Sequence, residues 1–126
     1  MESLIAGNLR IDAQVGQSPA LIRLLWLGKS NDRNPALALA PYFKGVLAVA
    51  AAKRLAIELH FERLDHFNSS TNTSIIRLVE DARRGGIKLF ILYDQEARWQ
   101  RLSLEPLRVF TNDLLELRPV DRGGNA

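Results

Sequence analysis

The chain has 126 residues, 47% apolar and 25% charged, with no cysteine and a net charge of +3. That length suits one domain with a real core, and the missing cysteine excludes disulfides, thiolate catalysis and cysteine-held metals. The 17 Lys and Arg residues are scattered rather than massed, so the charge balance does not argue for nucleic-acid binding.

Met1-Glu2-Ser3-Leu4 lacks a basic stretch followed by an apolar one, so no signal peptide is expected and a cytoplasmic location is. The longest apolar run, Val46 to Ala52, is too short to span a bilayer. Leu9, Ile11, Ala13 and Val15 alternate with polar residues, which predicts a half-buried strand. Gly16-Gln17-Ser18-Pro19 is turn chemistry, and Leu21 to Leu27 follows as a more central strand, antiparallel to the first. Gly28 to Asn34 reads as a polar loop. Two prolines, Pro35 and Pro41, predict an irregular entry and then a helix from about Pro41 to Ala52. Phe43, Val46, Leu47 and Ala50 form its apolar face.

Leu55 to Phe61 is the third strand, parallel to the second because a helix connects them. Glu62 to Phe67 is a short loop. The helix that follows runs from about Thr71 to Arg84, with Ile75, Leu78, Val79 and Ala82 on one face, and Gly85-Gly86 stops it. Ile87 to Tyr93 is a fourth, buried strand. Asp94 to Arg101 reads as irregular or one helical turn, Leu104 to Phe110 as a short helix capped by Ser103, and Leu114 to Leu117 as a final edge strand. The order is β-β-α-β-α-β-α with one further strand. It implies an α/β fold with a mixed, mostly parallel sheet of four or five strands and helices packed on it.

One stretch stands out. Phe67-Asn68-Ser69-Ser70-Thr71 joins an apolar strand region to an amphipathic helix, placing small hydroxyl side chains where a helix begins. Free backbone N–H groups and the positive end of the helix dipole gather there. The hydroxyls can serve as caps, or the turn can receive a phosphate by covalent modification.

The segment Leu55 to Gly86 resembles the STAS family, the domain of anti-sigma factor antagonists such as SpoIIAA. Its members carry an apolar-Asp-Ser-Ser-Gly turn that opens a helix; the match here is Phe67-Asn68-Ser69-Ser70-Thr71. The resemblance implies a single STAS-like domain over 1–120, with a flexible tail at 121–126. It also implies a non-enzymatic bacterial regulator in a partner-switching signalling module. In the family the second serine of the turn is phosphorylated, which falls on Ser70. Asn68 stands where the family has an acidic residue, and Thr71 where it has glycine. These departures, with Asn34-Pro35 and with Trp99-Gln100 through Leu107, look more like STAS-like regulators outside sigma-factor control. One group of those targets a diguanylate cyclase, and there the acceptor follows the asparagine, which falls on Ser69. The implied partners are a serine kinase of the histidine-kinase-like ATPase fold (anti-sigma-like), a metal-dependent serine/threonine phosphatase, and a diguanylate cyclase or other effector. Asn68, Ser69, Ser70, Thr71, Asn72 and Ser74 are the expected partner-binding residues, with contact made in the unphosphorylated form.

Competing chemistry is thin. His60 and His66 are the only histidines, and strand alternation puts Glu58, His60 and Glu62 on one side; a solvated polar face is a simpler account than a metal site. No phosphate-binding glycine loop, nucleophile elbow or zinc-protease helix is present. No catalytic residue, metal ligand or cofactor is therefore assigned. Trp26, Tyr93 and Trp99 read as packing residues rather than base-stacking platforms. Two other readings remain: a STAS-like binding subunit that is never phosphorylated, and a small basic nucleic-acid-binding domain. The scattered charge counts against the second.

Overall fold

A computed structural model describes residues 1–121. The strands are β1 (Leu4–Ala6), β2 (Leu9–Gln17), β3 (Ala20–Ser30), β4 (Ala56–His60), β5 (Leu64–Phe67), β6 (Leu89–Asp94) and β7 (Leu115–Val120). The helices are α1 (Ala36–Lys53), α2 (Ser69–Arg84) and α3 (Arg98–Leu104), the last running into a 3-10 turn at Glu105–Phe110. The sheet order is β1-β2-β3-β4-β6-β7, with β5 also paired to β3. The β1–β2 and β2–β3 pairs are antiparallel; the pairs β3–β4, β3–β5, β4–β6 and β6–β7 are parallel.

Alternation along the strands decides the layers. Ile22, Leu24 and Trp26 of β3, Ile57 and Leu59 of β4, and Ile91 of β6 are fully buried. They meet Leu39, Phe43, Val46 and Ala50 of α1 and Ile75, Leu78, Val79 and Ala82 of α2 in one cluster. A row of rings runs through it: Phe43 to Trp26 at 6.0 Å, Trp26 to Phe61 at 4.9 Å, and Phe61 to Phe67 at 5.8 Å. The other sheet face carries the ladder Arg23–Glu58–Phe90–Glu116 and, beside it, Leu25–His60–Leu92–Arg118. Those residues are exposed or half-buried, apart from Glu58.

The strands read from alternation are present, and the first two form the expected hairpin. The sheet has seven strands rather than four or five, because two short ones were not legible. β1 is three residues of a weak pattern. β5 lies where a loop was expected. It forms because β3 does not stop at Gly28 but continues to Ser30, and this extension pairs with β5 after a register shift between Gly28 and Lys29. Gly28 has φ +83°, and the Asn8 carbonyl oxygen lies 2.2 Å from where a Cβ would stand, so only glycine fits this close crossing.

The first helix begins at Ala36, earlier than expected, and contains Pro41. A proline inside a helix removes the bond to the carbonyl four residues back, here that of Leu37. Leu37 is 77% exposed, so water can take the missing partner's place. By length and composition α1 could cross a bilayer, with a mean hydropathy of 1.3; here its inward side fills the core. Near the C-terminus the helix starts at Arg98, and Ser103 lies inside it rather than capping it. The expected tail at 121–126 falls, from residue 122 on, outside the described residues.

Candidate functional site

The carboxyl ends of β3, β4, β5 and β6 share one edge of the sheet, and the strand-to-helix turn at 67–71 stands there. β5 delivers Phe67 into the core, 4% exposed, and its ring meets Trp99 edge-on at 5.3 Å. The next residue, Asn68, has extended dihedrals (φ −87°, ψ 175°) and caps α2. Its Oδ1 accepts from the Thr71 backbone N–H at 2.9 Å and from the Thr71 hydroxyl at 2.8 Å. Its Nδ2 donates to the Asp32 carbonyl at 2.8 Å, and its backbone N–H donates to the Ser30 carbonyl at 3.0 Å. Every polar group of this asparagine side chain is therefore engaged in holding the turn against the end of β3.

Thr71 completes that knot. It is fully buried, and its Oγ1 lies 2.6 Å from the Ser30 Oγ, itself 3% exposed. One consistent assignment has Ser30 donating to Thr71 and Thr71 donating to Asn68. Thr71 is among the expected partner-binding residues; its side chain lies in the interior with its hydroxyl committed.

Ser69 and Ser70 stand apart from this network. Both are exposed at the first turn of α2, and their hydroxyls make no hydrogen bond among the described residues. Of the two, Ser70 lines a groove of about 580 Å³ between α1 and α2; Ser69 does not. Ser74, 7% exposed, lines the same groove one turn further on. Asn72 is half-buried, and its Oδ1 has no partner. The turn thus brings together Asn68, Ser69 and Ser70 at the surface, and withdraws Thr71 and most of Ser74 from it.

Several neighbours hold the site besides the turn itself; Asn34-Pro35 and Trp99-Gln100 stood out in the sequence, whereas Ser30 and Asp32 did not. Ser30 and Asp32 anchor the turn from 41 and 36 residues away. Gln100, 1% exposed, accepts from the Asp94 N–H at 2.7 Å and donates to the Phe61 carbonyl at 2.7 Å. It ties α3 to the ends of β4 and β6. Trp99 packs on His66 at 5.5 Å, beside the turn. Asn34 and Pro35 line the groove.

On the bare sheet face, His60 sits between two carboxylates, Nε2 at 2.9 Å from Glu58 and Nδ1 at 2.9 Å from Glu62. Both ring nitrogens face acceptors, so the doubly protonated ring fits best. Burial pushes the imidazole pKa down, but the bonds to Glu62 and Glu58 outweigh it and leave it raised. Burial pushes Glu58 up, but His60 and Arg23 hold its carboxyl below the usual carboxylate range. Arg23 Nε lies 3.2 Å from Glu58. This is a charge-compensated cluster, and the described residues contain no group of three side chains placed to hold a metal ion.

No family model matches the chain, and no curated protein matches it. Among solved structures it is similar to an uncharacterised protein of the DUF3478 family with a SpoIIAA-like fold from Shewanella loihica PV-4. The TM-score is 0.56 at 14% identity, over 93% of this chain and 89% of that one. The fold is therefore STAS-like, of the SpoIIAA type. At that identity the likeness carries the fold alone.

Proposed function

We propose that this chain is a non-enzymatic regulatory protein of a bacterial, cytoplasmic partner-switching module, controlled by reversible phosphorylation of Ser70. The observation that carries the reading is the division of labour at the turn. Asn68 caps the helix and Thr71 anchors it, so the hydroxyls of Ser69 and Ser70 are exposed and uncommitted. Ser70 is favoured over Ser69 because it faces the groove that Arg33 and Arg77 also line.

The physical consequence of a phosphate here is local. It adds about −1.5 to −2 charges and three acceptor oxygens. The free N–H groups and dipole of the first turn tolerate that charge. A partner packed on the same turn meets bulk and an unpaired buried charge, which costs several kcal/mol. At about 1.4 kcal/mol per tenfold in affinity, that suffices to release it. In this reading the phosphate comes from a serine kinase of the histidine-kinase-like ATPase fold. A metal-dependent serine/threonine phosphatase removes it, and the effector, for instance a diguanylate cyclase, is bound by the unphosphorylated form.

Intact-mass measurement on protein from its native cell tests the modification: one phosphate on the wild type, none on Ser70→Ala. A pull-down with Ser70→Ala and Ser70→Asp as baits tests the switch, with the partner retained by the first and lost by the second. Equal retention by both sinks the switch, and a phosphate that persists on Ser70→Ala moves the acceptor to Ser69.

A further inference from the structure

The groove between α1 and α2 has a composition that a mere seam between helices does not require. Its floor is apolar, built from Pro35, Ala36, Ala40, Phe43, Leu47 and Leu78. Its walls carry three cations, Arg33, Lys44 and Arg77, and none of them has an ion-pair or hydrogen-bond partner among the described residues. The one carboxylate at its rim, Asp81, is already bonded to Arg84. The Ser74 hydroxyl belongs to a residue 93% buried that lines the groove, and it has no hydrogen-bond partner there. Its oxygen is open to the groove rather than sealed from solvent. The first turns of α1 and α2 both border the groove, through Ala36 and Ser70, and their dipoles add to the positive field. At about 580 Å³ the space is of the size that holds small molecules.

We infer that this groove binds a small anionic amphiphile, a single alkyl chain ending in a carboxylate or a phosphate. Three unpaired cations with a spare hydroxyl select the charge, and the aliphatic floor selects the chain. A nucleotide fits less well, since no aromatic face lies open on the floor: Phe43 is 4% exposed. The inference goes beyond the switch reading and does not depend on Ser70 ever being phosphorylated.

Titration calorimetry on unphosphorylated protein, below micellar concentrations, provides the test. Dodecanoate and dodecyl phosphate are compared with dodecan-1-ol, which lacks the charge, and with inorganic phosphate, which lacks the chain. Saturable one-site binding of either anion is expected, with the alcohol and inorganic phosphate weaker by about tenfold or more. The tighter of the two anions identifies the head group. The double variant Arg33→Gln/Arg77→Gln is expected to weaken the anion by about tenfold or more, and Ala40→Trp, at an exposed position, to block the groove. Circular dichroism confirms that both remain folded. Dodecan-1-ol binding as tightly as the anions, anion binding untouched by both variants, or no binding of either anion overturns the proposal.

Discussion

At the scale of single residues, the turn separates groups that look alike in the sequence. Asn68→Ala removes the cap and unpairs the Asp32 carbonyl, and should lower stability by about 1–2 kcal/mol. Thr71→Val keeps the shape and the backbone bond to Asn68 but leaves the buried Ser30 hydroxyl without its partner, and should lower it by about 1–3 kcal/mol. Ser69→Ala and Ser70→Ala should stay within about 0.5 kcal/mol of wild type. Thermal melts of the four variants check the ordering, and a large loss in either serine variant would mean that the serines help to cap. The strand-to-helix turn itself was legible from Asn68-Ser69-Ser70-Thr71. Which hydroxyl is buried was not, because that is decided by Ser30, 41 residues away in sequence. The cluster around His60 yields a pH prediction. Its raised pKa contributes stability that is full below the ordinary value of 6.5 and is lost as pH rises through the folded value. The depressed pKa of Glu58 contributes stability that is full above 4.5 and is lost as pH falls through its folded value. The cluster is therefore most stabilising between those two ordinary values. Denaturant titrations should show stability falling between about pH 5.5 and about pH 8.5, and falling less in His60→Gln; an equal fall in both would remove His60 from the account.

At the scale of elements, β3 is the part that positions the site. Its first stretch, Leu21 to Leu25, pairs with β4, and its last residues pair with β5. The change of partner happens at Gly28, and it is what brings Ser30 under the first turn of α2. Gly28→Ala forces a left-handed residue to carry a Cβ against the Asn8 carbonyl, costing at least about 1–2 kcal/mol before any clash is counted. Hydrogen exchange should quicken in β5 and at the Asn68 cap more than in β4 and β6; uniform quickening would show that the crossing does not serve the turn. This crossing also explains what the sequence concealed. Alternation over Leu21 to Leu27 was plain, but Gly28 resembles the start of a loop. Leu64 to Phe67 is too short and too polar at Asp65 and His66 to announce a strand without its partner. Pro41 misled in the opposite direction: proline usually ends a helix, yet here the lost bond falls on Leu37, an exposed residue. The late helix at Arg98 has no side-chain cap; the Gln100 side chain locks it to Phe61 and Asp94, a contact no local pattern reveals.

At the scale of the whole molecule, the fold rests on a core that does not include the two exposed serines. A negative charge at Ser70 should therefore alter recognition without altering the fold. Ser70→Asp is expected to melt within about 0.5 kcal/mol of wild type with an unchanged far-ultraviolet spectrum, while losing its partner. A collapse in stability would mean that charge at this turn acts by unfolding instead. The α/β order was legible across nearly the whole chain because β2, β3, β6 and α2 each bury a regular face and β4 is a short apolar run. The assignment of the cap to Asn68 has a consequence for how such a chain can change over generations. Architecture is kept by Asn68, Thr71 and Ser30, so mutation can rewrite positions 69 and 70 without risk to folding. A lineage can lose a hydroxyl there, move it by one residue or fix a permanent charge, each in a single step. Under the proposed switch, variation at those two positions records what regulation demands, and variation at Asn68 or Thr71 records what the scaffold demands.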